Sequence, residues 1–303
     1  MKKIACYALI VFIVSLTAGC ALLSPKTADL ENVHLLYRTE FSASVIPATP
    51  NNQKDTACQN NDEAFAQTLR AIRDYQVKYP QTDARIIQHL YVLQAMIYLQ
   101  SGRPGMARLL QKEYLAKNPN VKGQKTGYTR DALFAANLES LIAGWMAYCM
   151  LDKDGGPFHP QKFAAQEQAL RTAADEIRSN LQSFETTDPA ADEGAVYIAA
   201  SAAMFQMWAS KIKGDRCFFG KECTELGLSK EDLNRACGND QTCKRTKRTE
   251  GIQAMKISEF APYRNLLGQF LSDPEKQAAA AGEMQAVPAG RLRYLALYKY
   301  LGQ

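Results

Sequence analysis

Apolar residues recur three and four positions apart over most of this chain, the spacing of one face of an α-helix. Phe65, Leu69, Ile72, Tyr75 and Tyr79 follow it, and Pro80 ends the run. A second helix is predicted over about residues 84–100, with Ile87, Tyr91, Ala95 and Tyr98 on one face. Gly102 supplies the residue that tolerates positive φ at a helix C-terminus. Pro104 suits the first turn of the next helix, where a missing N–H costs nothing. Met106, Ala107, Leu110, Tyr114 and Leu115 carry the pattern on to Pro119. Residues 95–119 are therefore two helices folded into a hairpin, not one helix with a flaw.

The same period continues. Phe134, Leu138, Leu141, Ile142, Trp145, Tyr148 and Cys149 form a strong apolar stripe that "DKDGGPFHP" ends. A helix over 163–184 turns Leu170, Ala173, Ala174, Ile177 and Leu181 inward. Residues 196–212 are apolar nearly all round, which predicts a central, buried helix. Helices are also predicted over 252–271 and 291–301. No long run alternates with the period of a strand, so the expected class is all-α, with antiparallel helix pairs joined by short turns and stacked on one another. Residues 20–62 are polar and broken by Pro25, Pro47 and Pro50, the texture of a tether. Within them "NVHLLYRTEF" is a short helix or strand. The helical body then spans 63–303.

The first hairpin resembles one repeat of the tetratricopeptide family. Tyr91 stands at the large aromatic position, Ala95 at the small one and Tyr98 at the next aromatic. Gly102 lies in the turn, Ala107 begins the packing face of the second helix, and Leu115 and Pro119 close the unit. Gln94 and Gln111 depart from the apolar residues expected. The resemblance implies a superhelix of helix pairs with a groove that holds a peptide, a helix or another protein. It is clear over about residues 63–120 and degenerate beyond them.

The N-terminus adds a location. Lys2 and Lys3 precede an apolar run over residues 4–16, shorter than the ~20 residues a spanning helix needs. Small residues follow up to Gly19, as in a secretory signal over 1–19. "SLTAGC" resembles the lipobox of bacterial lipoproteins, with Thr17 in place of the usual aliphatic residue. That resemblance implies acylation of Cys20 by lipid (palmitate among the acyl chains) and, with Ala21 after the Cys, an outer-membrane anchor on the periplasmic side. The alternative is ordinary signal cleavage with a free Cys20. The chain has 303 residues and a formal net charge of +5, too mild to argue for nucleic acid.

Export would place the remaining cysteines in an oxidising compartment. Cys217, Cys223, Cys237 and Cys243 bracket a small insertion, 217–243, with C-x5-C spacing at each end. Nested bridges (Cys217–Cys243 and Cys223–Cys237) and local bridges (Cys217–Cys223 and Cys237–Cys243) both fit. Loop entropy weakly favours the nested pair. A tetra-Cys zinc site is the rival, although it usually wants closer pairs. Cys58 and Cys149 either form a third bridge or stay free. Ser229, with Asp232 three residues on, is a helix start.

Chemistry is sparse. "DKDGG" at 152–156 lacks the rest of a calcium loop. His34, His89 and His159 have no neighbouring nucleophile or carboxylate arrangement in sequence, and no phosphate loop or protease motif occurs. The basic "CKRTKR" at 243–248 is a solvated helix end or a patch for a partner or anionic lipid. Trp145, Trp208, Tyr91 and Tyr98 fall on apolar stripes and are expected in the core. No cofactor or metal is expected. The expected role is a non-enzymatic scaffold or assembly factor in an envelope complex, with a protein partner. The alternatives are a helical solute-binding accessory of a periplasmic transporter and a muramidase-like envelope enzyme, for which no particular Glu stands out.

Overall fold

The computed structural model describes residues 24–40, 58, 60–118, 129–152, 163–182, 193–219, 223–282 and 291–302. Among them every regular element is helical, and no strand occurs. The helices are α1 (Pro25–Glu40), α2 (Ala66–Lys78), α3 (Ala84–Gln100), α4 (Pro104–Lys117), α5 (Thr129–Asp152), α6 (Ala164–Gln182), α7 (Glu193–Phe219), α8 (Lys230–Cys237), α9 (Gln241–Gln269), α10 (Asp273–Ala281) and α11 (Leu292–Tyr300). The signal segment, Cys20, Pro119, His159 and residues 153–156 lie outside the described residues.

Part of the expected tether is core. Pro25 sits at the first position of α1, where its fixed φ suits a helix. Val33 and Tyr37, one turn apart, are buried against α2 and α3 with Phe65, Ile72 and Ile97. The ends of α1 are fastened separately. Asp29 accepts hydrogen bonds from Lys78 Nζ at 2.7 Å and Tyr79 Oη at 2.9 Å. Glu40 accepts from Thr68 Oγ1 at 2.6 Å and from the Thr68 and Gln67 amides at 3.0 and 3.2 Å, so it caps the start of α2 with negative charge. The two sets of contacts make α1 and α2 antiparallel. A polar texture hid α1 because its apolar stripe is only two turns long.

Helix α3 is buried on two sides. Leu90, Leu93 and Ile97 join the α1–α2 cluster, whereas Tyr91, Val92, Ala95, Met96 and Leu99 join the main core. Ile87, expected on the buried face, is partly exposed at the outer end of the helix.

Helices α5, α6 and α7 run up and down in succession. Ser140 donates to Glu176 at 2.6 Å and Asn180 to Asn137 at 3.1 Å, which sets α6 antiparallel to α5. Arg216 lies 3.2 Å from Glu167, which sets α7 antiparallel to α6. Helices α5, α6, α9 and α11 all pack against α7. Its residues 195–207 are buried without exception, as the sequence pattern predicts. Such enclosure requires small residues at the crossings. At Gly144 a Cβ would stand 2.2 Å from Phe205 Cε2, and Trp145 beside it meets the same ring edge-on at 5.7 Å.

The structure also adds α10, which the apolar pattern misses. Its start carries a full capping box, Ser272 with Glu275, a four-residue signature that was legible. Helix α9 begins at Gln241, eleven residues before its apolar stripe at Ile252, because Asp240 caps it by accepting from the Thr242 and Cys243 amides.

Gly144→Ala tests the α5–α7 crossing. A Gly-to-Ala change inside an exposed helix stabilises by roughly 1 kcal/mol. Here overpacking against Phe205 reverses the sign, and the variant should lose about 1–2 kcal/mol in urea unfolding. Gly105→Ala, where a Cβ meets nothing within 4 Å, should not.

Candidate functional site

The residues that carry the helix-pair pattern come together as packing rather than as a binding pocket. Tyr91 and Tyr114 stack face to face, with centroids 3.9 Å apart and planes at 5°. Burial pushes both phenols up, Tyr91 the further, so neither ionises near neutral pH. Ala95 and Ala107 are fully buried and let α3 and α4 approach. Gly102 has φ 72°, the conformation the tight turn needs. Tyr98 packs against both apolar clusters, with the Arg103 guanidinium 5.1 Å from its ring centre. Leu115 packs half-buried on the main core. Gln111, an apparent misfit, is buried because it donates to Glu139 of α5 at 2.8 Å. Trp145 is in the core as expected, and Trp208 is partly buried beside Tyr148.

Among the described residues three disulfides form. Cys58 pairs with Cys149, with a Cα–Cα distance of 5.4 Å across 91 residues of sequence. The insertion uses the local pairing, Cys217–Cys223 and Cys237–Cys243, each spanning 6 residues, and not the nested pairing that loop entropy weakly favours. Helix geometry outweighs that entropy, a difference of only about 1 kcal/mol. Cys237 ends α8, Cys243 lies in the first turn of α9, and the turn between them brings their Cα atoms to 5.7 Å. Ser229 caps α8 as predicted, accepting from the Asp232 amide at 3.1 Å. The pairing leaves none of these four thiols for a zinc site. In the basic cluster Lys244 donates to Asn234 at 2.5 Å, while Arg245 and Lys247 face solvent.

Two arrangements were not legible in the sequence. The first is a charged cluster where α6, α7 and α9 meet. Glu259 accepts from Ser210 Oγ at 2.5 Å, from Gln206 Nε2 at 3.3 Å and from Lys213 Nζ at 3.3 Å. Arg171 lies 3.4 Å from Glu259 and 3.6 Å from Glu167. Burial is the largest single influence on Glu259 and pushes its carboxyl up, but Ser210, Arg171 and Lys213 together outweigh it and hold it below its ordinary value. Glu259 therefore stays a carboxylate at neutral pH, the wrong state for a general acid. The second is a histidine pair. His34 of α1 and His89 of α3, 55 residues apart, meet Nε2 to Nε2 at 2.7 Å. Neither could be foreseen, because each joins side chains from helices distant in sequence.

The surface adds one more feature. Met106 and Leu109 lie one turn apart on α4 and are 44% and 55% exposed. Met146 and Met150 lie one turn apart on α5 and are 37% and 53% exposed. Helices α4 and α5 pack against each other, joined by Arg108 and Gln111 to Glu139. Residues Leu133–Leu151 of α5 are long and apolar enough to cross a membrane by length and composition, but 67% of that stretch is buried inside the fold, as in a core helix.

Comparison with known protein families, curated proteins and solved structures finds no match.

Two measurements check the buried chemistry. Non-reducing peptide mapping should recover Cys58 joined to Cys149, and replacing both with Ser should cost about 4 kcal/mol in the chain-entropy picture. Recovery of nested 217–243 peptides would overturn the local pairing. Glu259→Gln should destabilise by about 2 kcal/mol at neutral pH, because Arg171 and Lys213 lose their carboxylate. A lowered carboxyl stabilises the fold above its ordinary value of 4.5, and that contribution disappears as pH falls through the lowered one. The gap between wild type and variant should therefore be full above about pH 5 and close as pH falls through the lowered value.

Proposed function

We propose that this chain is a lipid-anchored scaffold on the periplasmic side of the outer membrane, holding a protein partner of an envelope complex on a tetratricopeptide-like array of helix pairs. The single observation that carries the binding role is the solvent-facing apolar set on α4 and α5: Met106, Leu109, Met146 and Met150. Large apolar side chains on neighbouring helices mark surfaces that another molecule covers. Methionine suits such a surface because its unbranched thioether adapts to varied partner shapes. The up-and-down succession of α5, α6 and α7 supports the array, and the lipobox-like "SLTAGC" supports the anchor at Cys20. Helix α7 is enclosed by its neighbours, so the partner rests on the outer α4–α5 surface and not on α7.

The solute-binding reading is favoured by a different observation. Tyr37 donates to Gln100 at 3.3 Å deep between α1 and α3. Tyr197 of α7 is fully buried. Burial raises its phenol far above the usual range, and the nearby Tyr294 and Tyr37 raise it further. Gln100 Nε2 is buried and meets no hydrogen-bond partner among the described residues, and Tyr197 Oη lies close to Trp145 and Ser201. Buried polar atoms of this kind are where a small polar molecule or ordered water binds.

Two experiments test the scaffold. Cys20→Ala should move the protein from the membrane fraction to the soluble periplasm, and a variant that still pellets with outer membranes would refute the anchor. Crosslinking from intact envelopes should capture a partner that is lost, by tenfold or roughly so, with Leu109→Glu plus Met150→Glu. Undiminished capture by that folded variant would refute the surface.

A further inference from the structure

Two imidazoles that meet Nε2 to Nε2 share one proton between two nitrogen lone pairs. The same pair of lone pairs is what zinc or copper(II) takes from a protein, imidazole being the commonest ligand for such ions. We propose that His34 and His89 form a two-imidazole clamp for a borderline divalent cation, zinc or copper(II), that fastens α1 to α3.

The geometry is close to that of a loaded clamp. The nitrogens are 2.7 Å apart and the rings stand at 89° to one another, with centroids separated by 4.9 Å. Two imidazole nitrogens each bound at about 2.0–2.1 Å stand roughly 3 Å apart. Rotation of both side chains, turning the two Nε2 lone pairs from each other toward a common point, admits the ion. The ring that donates in the hydrogen-bonded pair shifts to its Nδ1–H tautomer, so both Nε2 lone pairs face the cation and no proton is gained or lost.

The two helices are already positioned. Asp29 with Lys78 and Tyr79 holds one end of α1, and Glu40 with Thr68 holds the other. Val33 and Tyr37, flanking His34 along α1, are buried between those ends. The ligands are therefore set by contacts that do not involve the ion, which reduces the ordering that binding requires. Both rings are half-buried rather than sealed, so a cation reaches them from solvent and water completes its coordination. No group of three or more His, Cys, Asp or Glu converges among the described residues. Among the described residues the clamp therefore has two protein ligands, which sets its affinity at micromolar class rather than that of a closed structural zinc site. The inference does not depend on the scaffold reading.

The test uses the purified full chain in detergent, without a histidine tag and with its disulfides intact. Titration with zinc chloride or copper(II) chloride should show one saturable equivalent. Zinc should also raise the unfolding temperature, as any ligand that binds only the folded state does. His34→Ala or His89→Ala should weaken binding roughly tenfold or more and abolish the thermal shift. Should an alanine variant fail to fold, His34→Asn and His89→Gln keep a polar side chain of similar size and serve the same purpose. The copper(II) electron paramagnetic resonance spectrum should report two nitrogen ligands in the wild type, fewer in either single variant and none of them when both histidines are replaced. No saturable binding of either ion at about 100 μM would overturn the clamp. Binding that survives replacement of both histidines would overturn it equally.

Discussion

Helix α7 has an almost continuous apolar surface, and a helix apolar on all sides has no face to give to water. Its neighbours must therefore surround it. Helices α5, α6, α9 and α11 do so, and each must come close enough to leave no gap. Alanines at 195, 199, 200, 202, 203 and 209 are fully buried and keep α7 thin. Gly144 on α5 makes room for Phe205, the ring against which Trp145 also rests. Close packing of this kind transmits any change in volume to several helices at once. The antiparallel order of α5, α6 and α7 returns the chain to the same core.

That enclosure leaves polar groups of α7 in a place where they need partners. Ser201 donates to the backbone carbonyl of Tyr197. Ser210 and Gln206 turn instead to Glu259 of α9, where Arg171 and Lys213 supply the opposite charge. The cluster is a structural joint between three helices. Its carboxylate is stabilised in the charged form, which separates it from the raised carboxyl that acid catalysis requires.

The N-terminal helices attach by another route. Helix α3 offers one face to α1 and α2 and the opposite face to the main core, and Tyr98 touches both clusters. Cys58–Cys149 adds a covalent link from the segment between α1 and α2 to the end of α5. The segment nearest the proposed anchor is thus built into the body, packed on α2 and α3. A surface held rigidly by a core on one side is well suited to present apolar side chains to a partner.

The sequence alone determined the class and most of the helices, because a buried helix face needs apolar residues at a fixed period whatever it packs against. The turn at Gly102, the start at Ser229 and the buried length of α7 were legible for the same local reason. Helix α1 was obscured by a short stripe among prolines. Tertiary structure decided the rest: the local disulfide pairing, the union of Glu259 with Arg171 and Lys213, and the meeting of His34 with His89. Each of these depends on how rigid helices lie against one another. A period of 3.6 residues says which face is buried but not which distant residue waits opposite, and so contacts between separated helices leave no mark on the chain that makes them.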